Sequence, residues 1–303
     1  MNILVMGCTG VIGKSLVEKL LKQGHSIWGL SRSWDKGKEV FQWGYHPVSG
    51  DITKDNLGLG DTDWSFDAVY HLAGIVNLSP VDKDNLIHDT NFNGTLNVVK
   101  FCIKYEIPHL YYCSTAYSQS RNPYEISKQA AELMVKHCDI PKVTIYKPSL
   151  VLGGYQHFSQ FVSLLIFLHR RLEVIRRKFE GTMRLPPIEP VFRIHGNPSG
   201  SLNLVTSEAV ATAMATIADE GTFWLTNPVP PSLEYLAKIA GEFIMVNLQF
   251  KEEFPAMPLE IAFQKIAKPF LPYLQGNDDF DSNMSSFVLN REDIEKELFK
   301  LVK

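Results

Sequence analysis

The stretch Asn2-Ile3-Leu4-Val5-Met6-Gly7-Cys8-Thr9-Gly10-Val11-Ile12-Gly13 decides the fold, because it joins an apolar strand to a turn with three glycines. Residues 14–23 follow with apolar side chains at helical spacing, so the order is strand, glycine turn and helix. Gly7 allows the tight turn, Gly10 lets backbone N–H groups approach a pyrophosphate, and Gly13 lets the helix pack closely on the strand. The helix amino terminus then faces the phosphates, and the stretch predicts a dinucleotide-binding site.

The end of the second predicted strand, residues 25–30, indicates which dinucleotide is bound. Folds that prefer NAD usually carry Asp or Glu at this point to hold the ribose 2′-hydroxyl. This chain has Ser31-Arg32-Ser33 instead, and Arg32 can pair with a 2′-phosphate while both serines donate hydrogen bonds. The pattern favours NADP(H) over NAD(H). The alternative is that Arg32 is an ordinary solvated surface arginine.

Residues 111–128 carry groups able to exchange a proton. An apolar strand ends at Ser114-Thr115, and a helix starting near Pro123 places Tyr124 and Lys128 four positions apart on one face. A lysine cation close to a tyrosine favours the phenolate, and so lowers a phenol pKa that is ordinarily about 10. The Thr115 hydroxyl can bond a substrate oxygen, which hydride transfer to or from a carbonyl carbon requires. Tyr and Lys at this spacing also occur by chance, but the glycine turn upstream favours catalysis.

The intervening segments alternate strand and helix. Asp51, after a short third strand, either accepts a hydrogen bond from the adenine amino group or forms a simple turn or cap. Residues 67–74 form an apolar strand that ends in small residues, and His71 within it is interpreted as a core histidine rather than a catalytic one. Residues 91–99 open a helix that runs to about Tyr105. This alternation predicts an α/β fold with a doubly wound parallel (Rossmann) sheet and a site at the strand carboxyl ends.

Together these motifs resemble the extended form of the short-chain dehydrogenase/reductase superfamily. The matching segments are Gly7-x-x-Gly10-x-x-Gly13, Asp51-Ile52, His71-Leu72-Ala73-Gly74, Asn91-x-x-Gly94-Thr95, Ser114-Thr115 and Tyr124-x-x-x-Lys128. The resemblance implies that Tyr124 is the general acid/base, that Lys128 binds the nicotinamide ribose and lowers the Tyr124 pKa, and that Thr115 orients the substrate oxygen.

The predicted cofactor-binding set combines the residues of the glycine turn and the strand ends with those that the resemblance implies. Its members are Gly7, Thr9, Gly10, Val11, Ile12, Gly13, Ser31, Arg32, Ser33, Asp51, Ile52, Leu72, Ala73, Gly74, Asn91, Tyr124, Lys128, Pro148 and Ser149.

Within the superfamily, the chain looks most like the branch that contains fatty acyl reductases and thioester reductase domains. The likeness rests on segments 114–117, 122–128, 147–153, 202–205 and 222–228, and it covers about residues 1–235. One departure concerns the entrance to the site, because only eight residues separate Thr115 from Tyr124 and related enzymes usually insert a longer loop. Either a long substrate reaches an open cleft, or residues of the carboxyl-terminal part fill the gap.

The second half of the chain departs from the α/β alternation. Residues 158–178 are predicted to be helical, with a basic end at Arg170, Arg171, Arg176 and Arg177 that is either a solvated face or a dock for a carrier protein or coenzyme A. Arg193 and His195 follow in a proline-rich connector and are candidates to line the substrate cleft. Further helices are expected over 205–218, 232–243, 255–266 and 291–302.

We therefore predict two domains, each discontinuous in sequence. Residues 1–153 plus 199–228 form the NADP-binding Rossmann domain, and residues 154–198 plus 229–303 form a smaller, discontinuous C-terminal substrate-binding lobe.

Composition limits the other classes of function. The 303 residues are 45% hydrophobic with a net charge of -3, which is typical of a soluble globular protein and gives no electrostatic footprint for nucleic acid. The four cysteines lack metal-ligand spacing, so no metal site is predicted, and reduced thiols suggest the cytoplasm. No charged leader precedes the first strand, and no apolar run approaches the roughly 20 residues of a membrane span. The oligomeric state is left open, a homodimer included.

The sequence thus predicts an NADP(H)-dependent oxidoreductase acting on an acyl thioester, aldehyde or ketone. Two alternatives stay open: a sugar-nucleotide epimerase that retains NAD, which Arg32 argues against, and a non-catalytic NADP-binding regulator, for which an intact set of Thr115, Tyr124 and Lys128 is not needed.

Overall fold

The structure is a computed structural model and describes residues 1–33, 44–60, 63–153 and 191–300, together with Phe167, Arg170 and Val174. In chain order the strands are β1 (Asn2–Met6), β2 (Ser26–Ser31), β3 (Tyr45–Ser49), β4 (Ala68–His71), β5 (His109–Cys113), β6 (Lys142–Pro148), β7 (Leu150–Leu152), β8 (Val191–His195), β9 (Leu204–Thr206), β10 (Gly221–Leu225) and β11 (Asn247–Lys251). The longer helices are α1 (Val11–Lys22), α2 (Gly94–Lys104), α3 (Pro123–Lys136), α4 (Ser207–Thr216), α5 (Leu233–Ile244), α6 (Pro258–Ala267) and α7 (Arg291–Lys300).

Seven strands form one parallel sheet in the order β10-β6-β5-β4-β1-β2-β3. Successive residues of β1 point to opposite faces, so that Ile3 and Val5 enter one buried cluster while Leu4 and Met6 enter the other. Helices α1 and α4 contribute to the first cluster, and α2 and α3 contribute to the second. A parallel sheet with an apolar cluster on each face confirms the predicted doubly wound α/β fold.

The chain divides into two units. The first comprises Met1–Val151, Val205–Thr226 and Asp281–Phe287, and the second comprises the described residues of Leu152–Leu204, Asn227–Phe280 and Val288–Lys303. The predicted division instead placed 152–153, 199–204 and 227–228 with the first unit and 281–287 with the second. Segment 281–287 joins the first unit because it is hydrogen-bonded to the end of β10: the Ser282 hydroxyl donates to the Thr226 carbonyl (2.7 Å), and the backbone N–H of Trp224 donates to Asn283 Oδ1 (2.7 Å).

The helix predicted over 205–218 is wrong at its start. Val205 lies in β9, and helix α4 begins at Ser207 because the Thr206 hydroxyl caps it by accepting a hydrogen bond from the Ala209 N–H (3.2 Å). The helices expected over 232–243 and 255–266 correspond to α5 and α6 with small shifts at their ends. The helix expected over 291–302 corresponds to α7, and its last two predicted residues lie outside the described residues. The prediction over 158–178 lies outside the described residues except for Phe167, Arg170 and Val174, each of which is helical.

The second unit contains a two-stranded parallel ladder of β8 and β11, with α5 contacting β11 and α6 contacting β8. Across the described parts of the chain, we find no helix that is both long and apolar enough to cross a membrane. Cys8, Cys102, Cys113 and Cys138 are all free thiols.

Candidate active site

The glycine turn between β1 and α1 has the geometry that the sequence predicts. Gly7 has a φ of +83°, and a Cβ added there would stand 2.8 Å from the backbone nitrogen of Ala73. A Cβ on Gly13 would stand 2.1 Å from the Gly7 carbonyl oxygen, so only glycine lets α1 approach the turn this closely. Gly10 occupies the N-cap position without a side-chain cap, and the first turn of α1 has no acidic residue. The positive end of the helix is therefore free of a neutralising carboxylate, as an anion-binding turn requires.

The end of β2 places Arg32 at the surface beside Ser31 and Ser33. The Ser31 hydroxyl donates a hydrogen bond to the Ser33 carbonyl (2.9 Å), and Arg32 and Ser33 are exposed. The structure gives Arg32 the accessibility that contact with a 2′-phosphate needs. The same exposure also fits the alternative, an ordinary solvated arginine.

Asp51 forms a local turn after β3. Its Oδ1 accepts hydrogen bonds from both the backbone N–H and the hydroxyl of Thr53, at 2.9 Å each. Ile52 is buried in the cluster beneath α2, and its carbonyl accepts a hydrogen bond from Asn97 Nδ2 (2.9 Å). Asp51 therefore makes the contacts of a simple turn, and the Ile52 side chain packs in the core.

The segment that follows β4, with Leu72, Ala73 and Gly74, is held in place by Asn91. The Asn91 side chain accepts a hydrogen bond from the Ile75 N–H and donates one to the Ile75 carbonyl, both at 2.8 Å. A Cβ on Gly74 would lie 3.0 Å from Asn91 Oδ1, so the small residue predicted there permits this contact. Asn91 lies in a π-helical turn, Asp89–Asn93, which directly precedes α2. Such turns are frequent at functional sites.

His71 is a buried, neutral histidine, as expected from its position on an apolar strand. The Thr95 hydroxyl donates to the Asn91 carbonyl (2.6 Å), so His71 Nε2, 2.9 Å from the same hydroxyl oxygen, must carry a proton and donate to it. Nδ1 is then an acceptor, and it has no partner among the described residues. Burial and the nearby Lys128 cation lower the pKa of His71 to about 3.

Thr115, Tyr124 and Lys128 come together at the carboxyl end of β5. Asn122 caps α3 by accepting a hydrogen bond from the Glu125 N–H (3.0 Å), and Pro123 occupies the first turn, which confirms the predicted helix start. Tyr124 is half-buried, and Thr115 and Lys128 both lie close enough to lower its pKa. Lys128 is buried, and its Nζ donates to the Cys113 carbonyl (2.5 Å) and lies 4.4 Å from the centre of the Tyr112 ring.

The predicted effect of Lys128 on the Tyr124 pKa has the expected direction, but it does not decide the net pKa. Burial raises the pKa of Tyr124 to about 12, and this effect outweighs the lowering by the Lys128 cation and by the hydrogen bond with Thr115. Burial also lowers the pKa of Lys128, although Tyr124 acts in the opposite direction. Because the sequence supplies the charged neighbour but not the degree of burial, the larger contribution was missed.

A buried charge network behind these residues was also missed. Glu132, one turn after Lys128 on α3, accepts a hydrogen bond from the Ser114 hydroxyl (2.7 Å), and its Oε2 lies 3.1 Å from Lys147 Nζ. Lys136 is closer to the surface, and its Nζ lies 2.8 Å from Glu132 Oε1. Although burial opposes it, hydrogen bonds from Lys136 and Ser114 and the Lys147 cation lower the pKa of the Glu132 carboxyl. The spacing of Lys128, Glu132 and Lys136 four apart on one helix was the available signal.

Lys147 leads directly into Pro148 and Ser149, the predicted cofactor-binding residues at the end of β6. The Ser149 hydroxyl is buried and has no hydrogen-bond partner among the described residues. A buried hydroxyl without a partner is costly unless a ligand or water satisfies it, so its place at a strand carboxyl end fits a cofactor contact.

Arg193 and His195, in the second unit, are occupied by local contacts. Arg193 Nε donates to the buried Glu260 (2.9 Å), its guanidinium lies 4.9 Å from the centre of the Phe254 ring, and His195 Nδ1 lies 3.0 Å from the Glu252 carbonyl. These contacts tie β8 to the start of α6. Arg170 is exposed, and Arg171, Arg176 and Arg177 lie outside the described residues.

The parallel sheet, the glycine turn and the Thr115, Tyr124 and Lys128 cluster define an extended short-chain dehydrogenase/reductase. Residues 3–174 match the model of the NAD dependent epimerase/dehydratase family, and the chain belongs to that family.

Individual relatives carry out different reactions. Dihydroflavonol 4-reductase of Dianthus caryophyllus is 28% identical over 125 residues, which are 38% of this chain and 34% of that protein. A UDP-N-acetyl-alpha-D-glucosaminuronate decarboxylase of Bacillus cytotoxicus is 30% identical over 105 residues, 33% of this chain and 32% of the relative. The match thus spans about a third of the length of these curated relatives. The solved structure of UDP-glucose 4-epimerase from Thermotoga maritima, with UDP-glucose, covers all of both chains with a TM-score of 0.66 at 16% identity, which supports the fold.

Proposed function

We propose that the chain is an NADP(H)-dependent reductase that transfers hydride to a carbonyl carbon, with Tyr124 as the general acid. The observation that carries this proposal is the cluster at the end of β5, where Thr115 and the buried Lys128 ammonium both lie close enough to the Tyr124 phenol to lower its pKa. Two hydroxyl groups that converge next to a cation can hold a carbonyl oxygen and stabilise the negative charge that develops on it.

The cofactor would be held by the first unit. The glycine turn and the uncapped start of α1 suit a pyrophosphate, the exposed Arg32 suits a 2′-phosphate, and the unpartnered Ser149 hydroxyl suits a polar group at the nicotinamide end. When bound, the reduced nicotinamide supplies the hydride. Side chains of this chain bind and orient the carbonyl and move the proton.

The raised pKa of Tyr124 suits the role of proton donor in the reduction. With a pKa of about 12, the phenol holds its proton at neutral pH, and it can donate that proton to the oxygen as the carbonyl carbon becomes a carbinol. Lys128 then stabilises the phenolate that remains, and solvent returns the proton.

The carbonyl class is an aldehyde, a ketone or an acyl thioester. The likeness of segments 114–117, 122–128 and 147–153 to fatty acyl reductases supports the thioester and the derived aldehyde. Similarity to a dihydroflavonol 4-reductase supports a reductase acting on a small molecule. A thioester would arrive on coenzyme A or a carrier protein, and the basic segment that starts at the exposed Arg170 is the proposed place for its phosphates.

A sugar-nucleotide epimerase is the second candidate, and the family model favours it. Such an enzyme uses the same tyrosine and lysine but retains its NAD and shows no net oxidation. Arg32 counts against it, since retained NAD has no 2′-phosphate for that side chain to bind.

The test is NADPH oxidation by the purified protein across a panel of aldehydes, ketones and acyl-CoA esters. Replacing Tyr124 with Phe removes the proton donor and should lower kcat about 10²- to 10⁴-fold, with a far smaller effect on NADPH affinity. Tyr235→Phe, on the exposed side of α5, is the matched control and should behave as wild type. Near-normal turnover in Tyr124→Phe contradicts the proposed role. Release of NAD on denaturation, without NADPH oxidation for any substrate, supports the epimerase instead.

A further inference from the structure

Glu125 is a fully buried carboxylate that organises the residues between the two hydroxyl groups of the candidate site. We call residues 116–123, which connect Thr115 to Tyr124, the mouth loop. Glu125 has 0% exposure, and its Oε2 accepts hydrogen bonds from the backbone N–H groups of Gln119 (3.0 Å) and Arg121 (3.1 Å). Its Oε1 lies 3.0 Å from Arg121 Nε. One carboxylate thus accepts two backbone hydrogen bonds from the mouth loop and forms an ion pair with a side chain of the same loop.

This pattern departs from an ordinary helix start. Glu125 stands at the third position of α3, after the N-cap Asn122, where an acidic side chain normally reaches back to the N-cap backbone N–H. Here the carboxylate reaches further back, to residues four and six positions earlier. The Glu125 contacts therefore fold the loop rather than merely cap the helix.

The mouth loop is also connected to Thr115. The Arg121 guanidinium lies 5.3 Å from the centre of the Tyr117 ring, and Tyr117 is buried. The Tyr117 backbone N–H donates to Thr115 Oγ1 (3.2 Å). A hydroxyl has one proton and two acceptor sites, so this N–H fills one acceptor site and leaves the Thr115 proton free to point elsewhere. Thr115 also lies close enough to the Tyr124 phenol to lower its pKa.

The backbone of the mouth loop is strained, so contacts with other residues must hold the loop in this shape. Ser120 adopts a φ of +59°, a conformation unfavourable for a residue with a Cβ, and its hydroxyl donates to Gln129 Oε1 on α3 (2.9 Å). The Glu125 carboxylate holds the residues on both sides of Ser120, namely Gln119 and Arg121. Without it, we expect this turn to relax.

We propose that Glu125 is a positioning residue that closes the mouth loop and, through Arg121 and Tyr117, sets the orientation of the Thr115 hydroxyl toward the carbonyl oxygen. The closed loop also limits the size of the group that can lie beside Tyr124, which makes Glu125 a determinant of substrate size. This inference rests on the proposed reductase function and names a residue that this function did not require.

The test compares wild type with Glu125→Gln, which keeps the volume of the side chain. The amide retains one acceptor oxygen and turns its NH2 group toward either the loop N–H groups or the guanidinium, so one set of contacts is lost. Glu18→Gln, an exposed change on α1, is the matched control for loss of one acidic charge. Each variant is first shown to be folded by circular dichroism and to bind NADPH with unchanged affinity.

Two readouts separate positioning from general stability. In Glu125→Gln, kcat/KM for a small aldehyde should fall about 10- to 100-fold, because a displaced hydroxyl no longer meets the reacting oxygen. The ratio of kcat/KM between a small and a branched substrate should also fall, since the open loop admits larger groups. Hydrogen exchange at the Gln119 and Arg121 amides should accelerate. If Glu125→Gln does not fold, Arg121→Lys, which keeps the charge but loses the Nε contact, should show the same changes to a smaller degree.

A folded Glu125→Gln enzyme with wild-type kcat/KM and an unchanged substrate ratio overturns the proposal, even if exchange is faster. Slow exchange at Gln119 and Arg121 in that variant overturns the loop assignment on its own, whatever the enzyme reduces. Wild-type protein that reduces no carbonyl compound refutes the proposed function instead, so the two failures are distinguishable.

Discussion

Removal of the Glu132 carboxylate should destabilise the first unit strongly. Glu132 and Lys147 are both buried, and their charged groups approach to 3.1 Å. The same carboxylate accepts the Ser114 hydrogen bond at 2.7 Å. Glu132→Ala therefore leaves a buried ammonium without its counter-charge and a buried hydroxyl without its acceptor.

The magnitude follows from these contacts. Breaking a buried ion pair by removal of one partner costs about 3–5 kcal/mol, because the remaining charge is left in a poorly solvating environment. Lys136 adds little, since it is partly exposed and can be solvated. Lys147 keeps one favourable contact, its Nζ lying 4.5 Å from the centre of the Trp224 ring, so we expect the lower part of this range. A loss of about 3 kcal/mol corresponds to a fall in Tm of about 6–12 °C.

The assay is urea and thermal unfolding followed by circular dichroism, with the exposed Glu18→Ala as the control. The double variant Glu132→Leu/Lys147→Met should recover most of the loss, because it removes both charges together. The pKa of Glu132 is depressed in the folded protein, so its contribution is present above the ordinary glutamate pKa and is lost as the pH falls below it. The difference between wild type and Glu132→Ala should shrink below about pH 4.5. A loss under about 1 kcal/mol at pH 7, with no recovery in the double variant, would refute this reasoning.

Two further predictions concern the cofactor and the core. Arg32→Asp should shift the NADPH-to-NADH ratio of kcat/KM toward NADH by about 10- to 100-fold, because a charge-assisted bond to the 2′-phosphate is replaced by repulsion. Unchanged affinity for both cofactors would contradict the assignment of Arg32 to the 2′-phosphate. His71, with a pKa lowered to about 3, should show no titration of its ring protons by NMR between pH 8 and pH 5, and the unfavourable protonation should reduce folding stability as the pH falls below 6.5. A midpoint near pH 6 would contradict the burial and the neutral state of His71 given above.

The sequence was sufficient for the sheet and for the positions of most site residues, because local signals determine them. The glycine turn requires residues without a Cβ, and the glycines themselves show this in the sequence. A Cβ on Gly13 would stand only 2.1 Å from the Gly7 carbonyl oxygen. The start of α3 follows from Asn122 and Pro123, which place Tyr124 and Lys128 on one face without any tertiary information.

What could not be predicted depends on burial and on contacts between distant segments. The Tyr124 pKa is set mainly by desolvation, which residue spacing does not report. Glu132 and Lys147 are 15 positions apart and meet only because α3 packs against the end of β6. The shape of the mouth loop depends on the Glu125 carboxylate, which reaches back to Gln119 and Arg121, and the sequence analysis contains no signal for these contacts.

The most direct test of the central claim follows the hydride itself. The purified enzyme is incubated with NADPH deuterated at the reactive position of nicotinamide C4 and with the substrate that performs best in the panel, and the product is analysed by mass spectrometry and NMR. The proposal predicts one deuterium on the former carbonyl carbon in wild type, formed at a rate that Tyr124→Phe lowers by at least about 10²-fold. A product without deuterium at that carbon, or deuterium transfer at an undiminished rate in Tyr124→Phe, would contradict it.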